Sequence, residues 1–303
     1  MRVDLRRMEC FVAVAELLSF TRAADRLGIA QPWLSAEIRK LEADLGYPLF
    51  DRGTRHVAVT QEGKHLLPHA QAMLEQVLRV EAAAQALRRA QAGHLRIGAP
   101  AYSAHVTERY QLIRQFMDRY PQWTVEVEND WTPRLLPQLL RGDLDVAFLL
   151  APFPNAGLDA RLLRREPNHL LVPLEHPGAH GPVLDMNSLR HARIAAWRRA
   201  INPALFDHSY APLIAAGAEL VPAPEIADAA MWEFAFRHRL MLLTVGWQVP
   251  PFADEDYVEL PIEGDLIVTE LYVVRRTGAH SGPVDAFWRL LLQEHSPTTI
   301  QPI

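Results

Sequence analysis

The chain has 303 residues, 49% of them apolar, and a formal net charge of −5, which fits two or three folding units with large cores. Its single cysteine, Cys10, excludes an internal disulfide, and its position in an apolar stretch predicts a buried thiol. The absence of an N-terminal apolar signal core and of a bilayer-length apolar run excludes a membrane-spanning class, so we expect a cytoplasmic protein.

The charge is unevenly distributed along the chain. Residues 1–92 carry 13 Lys and Arg against 11 Asp and Glu, whereas residues 93–303 carry 18 against 25. A slightly basic N-terminal part is compatible with a nucleic-acid partner, although it does not establish one.

Three helices are predicted in the first 45 residues. The first covers residues 4–18, with an apolar face formed by Met8, Phe11, Val12, Ala15 and Leu18. The second begins after the capping residue Ser19, covers residues 20–27 and ends at Gly28. The third opens at Gln31 and Pro32 and turns Leu34, Ile38 and Leu41 inward. This succession is typical of a helix-turn-helix.

Two short strands, residues 49–52 and 56–60, are predicted to form a hairpin beside the third helix, which makes the module winged. Polar and aromatic residues on the second and third helices and on the hairpin suit contacts with base edges and phosphates. The candidates for DNA binding are Thr21, Arg22, Gln31, Pro32, Trp33, Ser35, Arg39, Arg52 and Arg55. A solvated surface is the alternative interpretation of each single arginine.

Several motifs in this module resemble the LysR-type transcription regulators. They are Phe20-Thr21-Arg22-Ala23-Ala24, Gln31-Pro32-x-Leu34-Ser35, Ile38-Arg39-x-Leu41-Glu42, Leu45-Gly46-x-Pro48-Leu49-Phe50-x-Arg52 and Thr60-x-x-Gly63. The resemblance is strongest over residues 3–65 and implies binding to double-stranded promoter DNA, with RNA polymerase as an expected protein partner.

The chain departs from the family pattern on the third helix. Ala30 replaces the serine that usually caps this helix, and its loss costs about 1 kcal/mol. Trp33 replaces a small residue, and Ala36 and Glu37 replace residues that are often Arg and Gln. Glu37 is expected to face DNA, where a carboxylate repels phosphates but accepts from a cytosine amino group, which predicts an unusual operator.

A long helix is predicted from residue 61 to about residue 91. Its apolar stripe contains Leu66, Ala70, Met73, Leu74, Val77, Ala84 and Leu87, and Pro68 is expected to bend it. The length and the stripe favour pairing with a second helix, and the resemblance implies a homodimer or a tetramer. His65 and His69 have a spacing that could bind a metal, but further ligands are missing from the pattern, so no metal or cofactor is predicted.

The last two hundred residues alternate between strands and helices, which predicts an α/β domain. Strands are expected at 95–99, 123–128, 145–150, 170–174, 193–197, 240–244 and 267–274, and helices at 105–119, 132–141, 226–238 and 284–293. Arg96-Ile97-Gly98, Tyr120-Pro121 and Leu140-x-Gly142-x-Leu144-Asp145-Val146-Ala147 are similar to the effector domain of the same family, itself like periplasmic solute-binding proteins.

The sequence therefore predicts an α/β protein overall, with three parts. These are a winged helix-turn-helix at 1–60, a dimerising linker helix at 61–91, and a two-lobed effector-binding domain at 92–303. The resemblance implies that lobe I contains residues 94–165 and 268–303 and that lobe II contains residues 166–267.

Ligands of such domains bind outside the carboxyl ends of strands, in the crevice between the lobes. This rule selects Tyr102, Ser103, Thr132, Trp197, Arg198, Arg199, Thr244 and Trp247 as the effector-binding candidates. They predict a small anionic or aromatic effector, with the anionic group held by Arg198 or Arg199. Surface arginines and core aromatics are the alternative interpretation.

Two other classes of protein compete with a regulator. An enzyme is not predicted, because the chain lacks a glycine-rich phosphate loop, a Gly-x-Ser-x-Gly elbow, a His-Glu-x-x-His motif and a cysteine pair, although a site assembled in space would escape this search. A solute-binding protein without DNA activity would fit the C-terminal part alone. The winged N-terminal pattern favours the regulator.

Overall fold

A computed structural model describes residues 4–52, 57–225, 227–248, 255–265, 267–278, 280 and 282–294. The chain divides into two compact units, Met1–Ala83 and Ala84–Ile303, each of which is treated by itself below. Within the described ranges, no helix combines the length and the apolar character needed to cross a lipid bilayer.

The first unit begins with three helices, α1 (Leu5–Leu17), α2 (Phe20–Leu27) and α3 (Gln31–Leu45). The Ser19 hydroxyl caps α2 by accepting from the Arg22 N–H at 3.3 Å. Gly28 ends α2 with a positive φ of 65°, which glycine adopts without strain. The prediction for Leu18 is wrong: this residue ends α1 in the left-handed region, and its side chain is 51% exposed.

The three helices enclose a core built around Phe11, Leu34 and Ile38, all fully buried. Ala23 and Ala24 are also buried, which lets the helices approach closely. The predicted burial of Cys10 is confirmed, and desolvation raises the pKa of its thiol to about 11. The thiol therefore stays protonated at neutral pH.

The wing consists of β1 (Phe50–Arg52) paired antiparallel with β2 (Val57–Val59). Glu42 of α3 fixes the start of β1, because its Oε1 accepts from the backbone N–H groups of Leu49 at 2.9 Å and Phe50 at 3.2 Å. The Thr60 hydroxyl donates to the Pro48 carbonyl at 2.8 Å and accepts from the Gly63 N–H. These motif residues therefore hold the wing against α3.

Helix α4 (Gln61–Ala92) follows the wing. The first part of its apolar stripe packs on the core of the same unit, through Leu66, Ala70, Met73 and Leu74. These four residues of the stripe are therefore covered by their own unit. Leu78 and Val80 are exposed instead. His65 and His69 are also exposed on this helix.

Among its described residues, the second unit contains nine strands and five complete α-helices. In chain order they are β3 (His94–Ala99), α5 (Thr107–Arg119), β4 (Thr124–Asn129), α6 (Thr132–Arg141), β5 (Val146–Leu150), β6 (Leu158–Pro173), β7 (Arg193–Ala196), α7 (Pro203–Ala215), β8 (Glu219–Pro222), α8 (Asp228–Arg237), β9 (Met241–Val245), β10 (Tyr257–Pro261), β11 (Val268–Arg276) and α9 (Pro283–Glu294).

These strands run in the order β4-β3-β5-β11-β6-β9-β7-β8, with β10 also paired to β6. Strand β6 divides this order into two lobes. Its residues up to Pro167 pair antiparallel with β11, and Asn168–Leu171 pair antiparallel with β9. The strands β3, β4 and β5 are parallel to one another on one side, as are β7, β8 and β9 on the other.

Each lobe has its own core. Ile97, Phe116, Phe148 and Phe287 are fully buried in the lobe that contains β3, β4 and β5. Tyr210, on α7, is fully buried in the other. In the first lobe, the buried Arg276 donates to the Leu139 carbonyl of α6 and to the Leu144 carbonyl just after this helix, so its charge is buried with hydrogen-bond partners.

Candidate DNA-binding face and effector cavity

The outward face of α3 begins at the first residues of the helix. Gln31 and Pro32 are exposed, and the Gln31 Nε2 donates to the Ser35 Oγ at 2.9 Å. Trp33 is half-buried, with the Arg6 guanidinium 4.4 Å from its ring centroid. Arg39 is exposed two turns further along. Because residues four apart share a helix face, Gln31, Ser35 and Arg39 present donors and acceptors side by side.

Two further candidates lie on α2. Thr21 and Arg22 are exposed, and the Arg22 guanidinium donates to the Leu17 carbonyl. This bond uses one of its five N–H groups and fixes the direction of the side chain. On the wing, Arg52 belongs to β1, but its side chain and the whole of Arg55 lie outside the described residues.

The expected exposure of Glu37 toward DNA is wrong. This carboxylate is buried, and it accepts from the Lys40 Nζ at 2.7 Å and from the Arg7 Nε at 3.2 Å. The hydrogen bond from Lys40, and then that from Arg7, hold the pKa of Glu37 below its ordinary value. Glu37 therefore joins α3 to α1 as an anion. The other departure, Ala30, begins α3 without any side-chain cap.

A cavity of about 80 Å³ lies between the lobes of the second unit. Both lobes contribute to its lining: Leu150 and Thr269 come from one lobe, and Leu243 and Thr244 come from the other. Most of its surface is aromatic or aliphatic. The aromatic residues that line it are Tyr102, Trp131, Trp197, Tyr210 and Trp232.

Four of these rings form a continuous chain across the cavity. The centroids of Tyr102 and Trp131 lie 5.3 Å apart, those of Trp131 and Trp197 6.4 Å, and those of Trp197 and Tyr210 4.8 Å. Trp197 packs against the cores of both lobes. Its Nε1 is buried and finds no hydrogen-bond acceptor among the described residues. Since a buried donor without a partner is costly, an acceptor on a ligand or on a bound water molecule would stabilise it.

The predicted effector residues divide into three groups. Tyr102, Trp197 and Thr244 line the cavity. Ser103 and Thr132 are buried with their hydroxyls bonded to backbone: Ser103 donates to the Pro100 carbonyl, and Thr132 accepts from the Leu150 N–H. Their predicted role as hydroxyl donors to the effector is not supported by this geometry.

Trp247, Arg198 and Arg199 form the third group, which is absent from the described lining of the cavity. Trp247 is buried in the core of the first lobe and is absent from the described lining of the cavity. Arg198 is exposed outside that lining as well. The Arg199 guanidinium forms two hydrogen bonds with the Asp207 carboxylate, one of them from Nε at 2.7 Å. The two arginines therefore do not meet the cavity as expected.

Several polar groups that the sequence did not single out lie on or near β6 and β11, close to the junction of the two lobes. The Thr269 hydroxyl, on β11, donates to the Asn168 Oδ1 on β6 at 2.8 Å, and both residues line the cavity. Ser209 and Gln248 line it too. Trp131, which also lines it, follows the predicted strand 123–128 and precedes Thr132, so the rule on carboxyl ends would have found it.

Comparison with known proteins places both units in one family. Residues 5–64 match the family described as "Bacterial regulatory helix-turn-helix protein, lysR family". Residues 88–296 match the family described as "LysR substrate binding domain". These two ranges include nearly all of the described elements.

Individual relatives agree with the family models. The HTH-type transcriptional regulator IlvR of Caulobacter vibrioides is 35% identical over 209 residues, covering 68% of this chain and 69% of that protein. A full-length OxyR variant from Pseudomonas aeruginosa superposes with a TM-score of 0.55 at 23% identity, over 100% of both chains. Full-length CbnR complexed with its target DNA gives 0.50 at 22% identity, over 96% of this chain and 99% of that chain. The chain therefore belongs to the LysR family, as a DNA-binding transcription regulator that joins a helix-turn-helix domain to an effector-binding domain.

Proposed function

We propose that the chain recognises its operator through the N-terminal half of α3, supported by α2 and the wing. The observation that carries this proposal is the row of Gln31, Ser35 and Arg39, three polar side chains on one face of a single helix, of which Gln31 and Arg39 are exposed and Ser35 is half-buried. Such a row fits the width of the major groove and offers donors and acceptors to base edges. Arg52 and Arg55 supply the phosphate contacts of the wing in this proposal.

The regulator acts as a homodimer or a tetramer in this proposal, with α4 as the pairing helix. The part of α4 that does not pack on its own unit exposes Leu78 and Val80, and the latter is 70% exposed. Apolar side chains on a long helix are usually covered by a second helix. A dimer would place two α3 helices in successive major grooves, so the operator is expected to be palindromic, about 10 base pairs between half-site centres.

The effector binds in the aromatic cavity between the lobes. Contacts from both lobes would let a ligand favour one arrangement of the lobes over another, and this preference would change the affinity for DNA. We further infer a cytoplasmic regulator that acts on transcription together with RNA polymerase and has no enzymatic activity of its own.

The test is the salt dependence of binding to the DNA upstream of the gene that encodes this chain, compared with a scrambled duplex. The purified full-length protein is titrated with fluorescent DNA, and an Arg39→Ala, Arg52→Ala variant is measured in parallel. If Arg39 and Arg52 of both protomers contact phosphates, the slope of log affinity against log salt concentration is less negative in the variant by about 3 to 4. A base contact by Arg39 would instead reduce the preference for the specific duplex.

A matched control is Arg79→Ala, which removes an exposed arginine of α4 that pairs with Glu75 at 2.6 Å. Its salt slope should equal that of the unchanged protein. Binding of the specific and scrambled duplexes with equal affinity, by a protein that is folded and dimeric, would refute the proposal and favour a solute-binding protein without DNA recognition.

A further inference from the structure

A second, wider cavity adjoins the aromatic cavity between the lobes. It has a volume of about 510 Å³ and shares Tyr102 and Trp131 with the aromatic cavity. Asp130 of one lobe and Glu225 of the other line it. Two carboxylates from opposite lobes therefore line a cavity that also contains the Tyr102 and Trp131 rings.

We propose that the effector is a small organic cation, an amine or a quaternary ammonium attached to an apolar group. This inference rests on the proposed function, because it assigns the chemistry of the ligand to the effector cavity. The apolar group would occupy the aromatic cavity, and the charged nitrogen would lie toward Asp130 and Glu225.

The aromatic rings favour a cation over an anion. The face of a tryptophan or tyrosine ring is electronegative, so it attracts an ammonium group within about 6 Å of the centroid and repels a carboxylate. Trp131 and Trp197 lie on opposite lobes with their centroids 6.4 Å apart. A ligand between the lobes would therefore meet rings from both sides.

The surrounding charge favours a cation as well. Among the described residues that line the two cavities, no Lys or Arg is present, and His105 is the one basic side chain beside the two carboxylates. Arg199 is paired with Asp207 outside this lining. The Asp130 carboxylate has an ion pair with Arg134, whose NH1 is 3.7 Å from Oδ2 and whose side chain is 79% exposed, so the pair is weak and a ligand cation can replace Arg134.

The size of the aromatic cavity limits the apolar group. A buried water needs about 10 to 15 Å³ of such space, so a cavity of this volume holds roughly five to eight non-hydrogen atoms. A single six-membered ring fits this limit, and a fused bicyclic ligand does not. Benzylamine, which is a cation at neutral pH, is therefore a suitable probe.

The experiment compares benzylamine with benzyl alcohol and benzoate, which keep the ring and replace the cation with a neutral or an anionic group. Binding to the full-length protein is measured by isothermal titration calorimetry. Benzylamine should bind at least about fivefold more tightly than benzyl alcohol, because a unit charge about 4 Å from a carboxylate gains about that factor even in water.

Two variants test the origin of this preference. An Asp130→Asn, Glu225→Gln variant should lose most of the preference for benzylamine over benzyl alcohol and keep only the part that the aromatic rings supply; an asparagine at 130 can still accept from the Trp131 N–H, as Asp130 does at 2.8 Å. The control Asp118→Asn removes an exposed carboxylate of α5 and should keep the preference. Circular dichroism of each variant verifies its fold.

Tighter binding of benzoate, equal affinity for all three probes, or no binding of benzylamine at millimolar concentration would overturn the inference. A preference for benzylamine that the double substitution leaves undiminished would overturn it too. Operator binding by the same preparation, measured without any probe, tests the proposed function separately, so the two proposals can fail independently.

Discussion

Replacing Gly63 with alanine should destabilise the DNA-binding unit, although glycine-to-alanine changes usually stabilise helices. Gly63 lies in the first turn of α4, and a Cβ there would lie 2.5 Å from the Leu49 carbonyl oxygen and 2.7 Å from the Val59 Cγ1. The Leu49 oxygen also accepts from the Thr60 N–H at 3.0 Å. The new methyl group must therefore displace backbone that joins the two strands of the wing to α4.

The expected loss follows from three contributions. Overpacking costs about 1 to 3 kcal/mol. Weakening the hydrogen bond to the Leu49 carbonyl costs about 1 kcal/mol. The higher helix propensity of alanine stabilises α4 by at most about 1 kcal/mol, which offsets part of this cost. The free energy of unfolding should therefore fall by about 1 to 3 kcal/mol, and DNA affinity should fall because the wing moves.

Hydrogen exchange of the full chain, followed by mass spectrometry over peptides from 47–62, measures this loss locally. A change of about 2 kcal/mol corresponds to about 30-fold faster exchange of the slowest amides. The control is Gly46→Ala: Gly46 has a φ of 84° with no atom within 4 Å of the new Cβ, so it adds about 1 to 2 kcal/mol of backbone strain without displacing the wing. Unchanged or slower exchange in Gly63→Ala would refute the reasoning.

Three more predictions concern stability. Ala30→Ser should raise the free energy of unfolding by about 0.5 to 1 kcal/mol in thermal denaturation, because a serine hydroxyl would cap the uncapped start of α3. Glu37→Gln should flatten the acid unfolding curve: the pKa of Glu37 is lowered, chiefly by Lys40, so its contribution is complete above the ordinary value of 4.5 and is lost as pH falls through the lowered pKa. Arg276→Met should cost about 1 to 3 kcal/mol in thermal denaturation, since it removes the donor that the Leu139 carbonyl of α6 and the Leu144 carbonyl just after α6 share.

Each of these changes has a control on the same element or surface. Ala43→Ser, at an exposed interior position of α3, should give no gain. Glu9→Gln removes an exposed carboxylate of α1 and should leave the acid unfolding curve unchanged. Arg141→Met removes only an exposed pair with Asp143, and its cost should stay below about 1 kcal/mol. Equal effects of a variant and its control would contradict the reasoning for that pair.

The N-terminal elements could be predicted closely because local signals mark their ends. Ser19 and Gly28 enclose α2, and both residues make the capping contacts that their chemistry suggests. The inward direction of Glu37 could not be predicted in this way. It depends on Arg7, which is distant in sequence and approaches only when α1 packs on α3.

In the second unit, three elements escaped prediction for physical reasons. Helix α7 begins at Pro203, contains Pro212 and is apolar on most sides, so it lacks the one-sided periodicity of a surface helix. Strand β8 has only four residues, and β10 has five. Such short segments carry little periodic signal.

The first half of β6 is difficult to predict because it is rich in charges. Its charged side chains form ion pairs with neighbouring residues. Arg164 pairs with Glu108 at 2.7 Å and also with Glu166, and Arg165 lies 3.6 Å from Glu270. The sequence does not show these partners, and a segment so rich in charges is then typical of a loop. The same lack of tertiary information explains the wrong expectation for Arg199, since its partner Asp207 lies on the unpredicted α7.

The position of β11 has a consequence for synthesis of the chain. This strand lies between β5 and β6, yet it is made after every strand of the other lobe. Until it leaves the ribosome, β5 and β6 have no neighbour between them, and their unpaired edges can join other chains. The lobe that begins first is therefore completed last. A chain that ends before β11 would have an incomplete sheet in its first lobe, although every strand of its second lobe would be present.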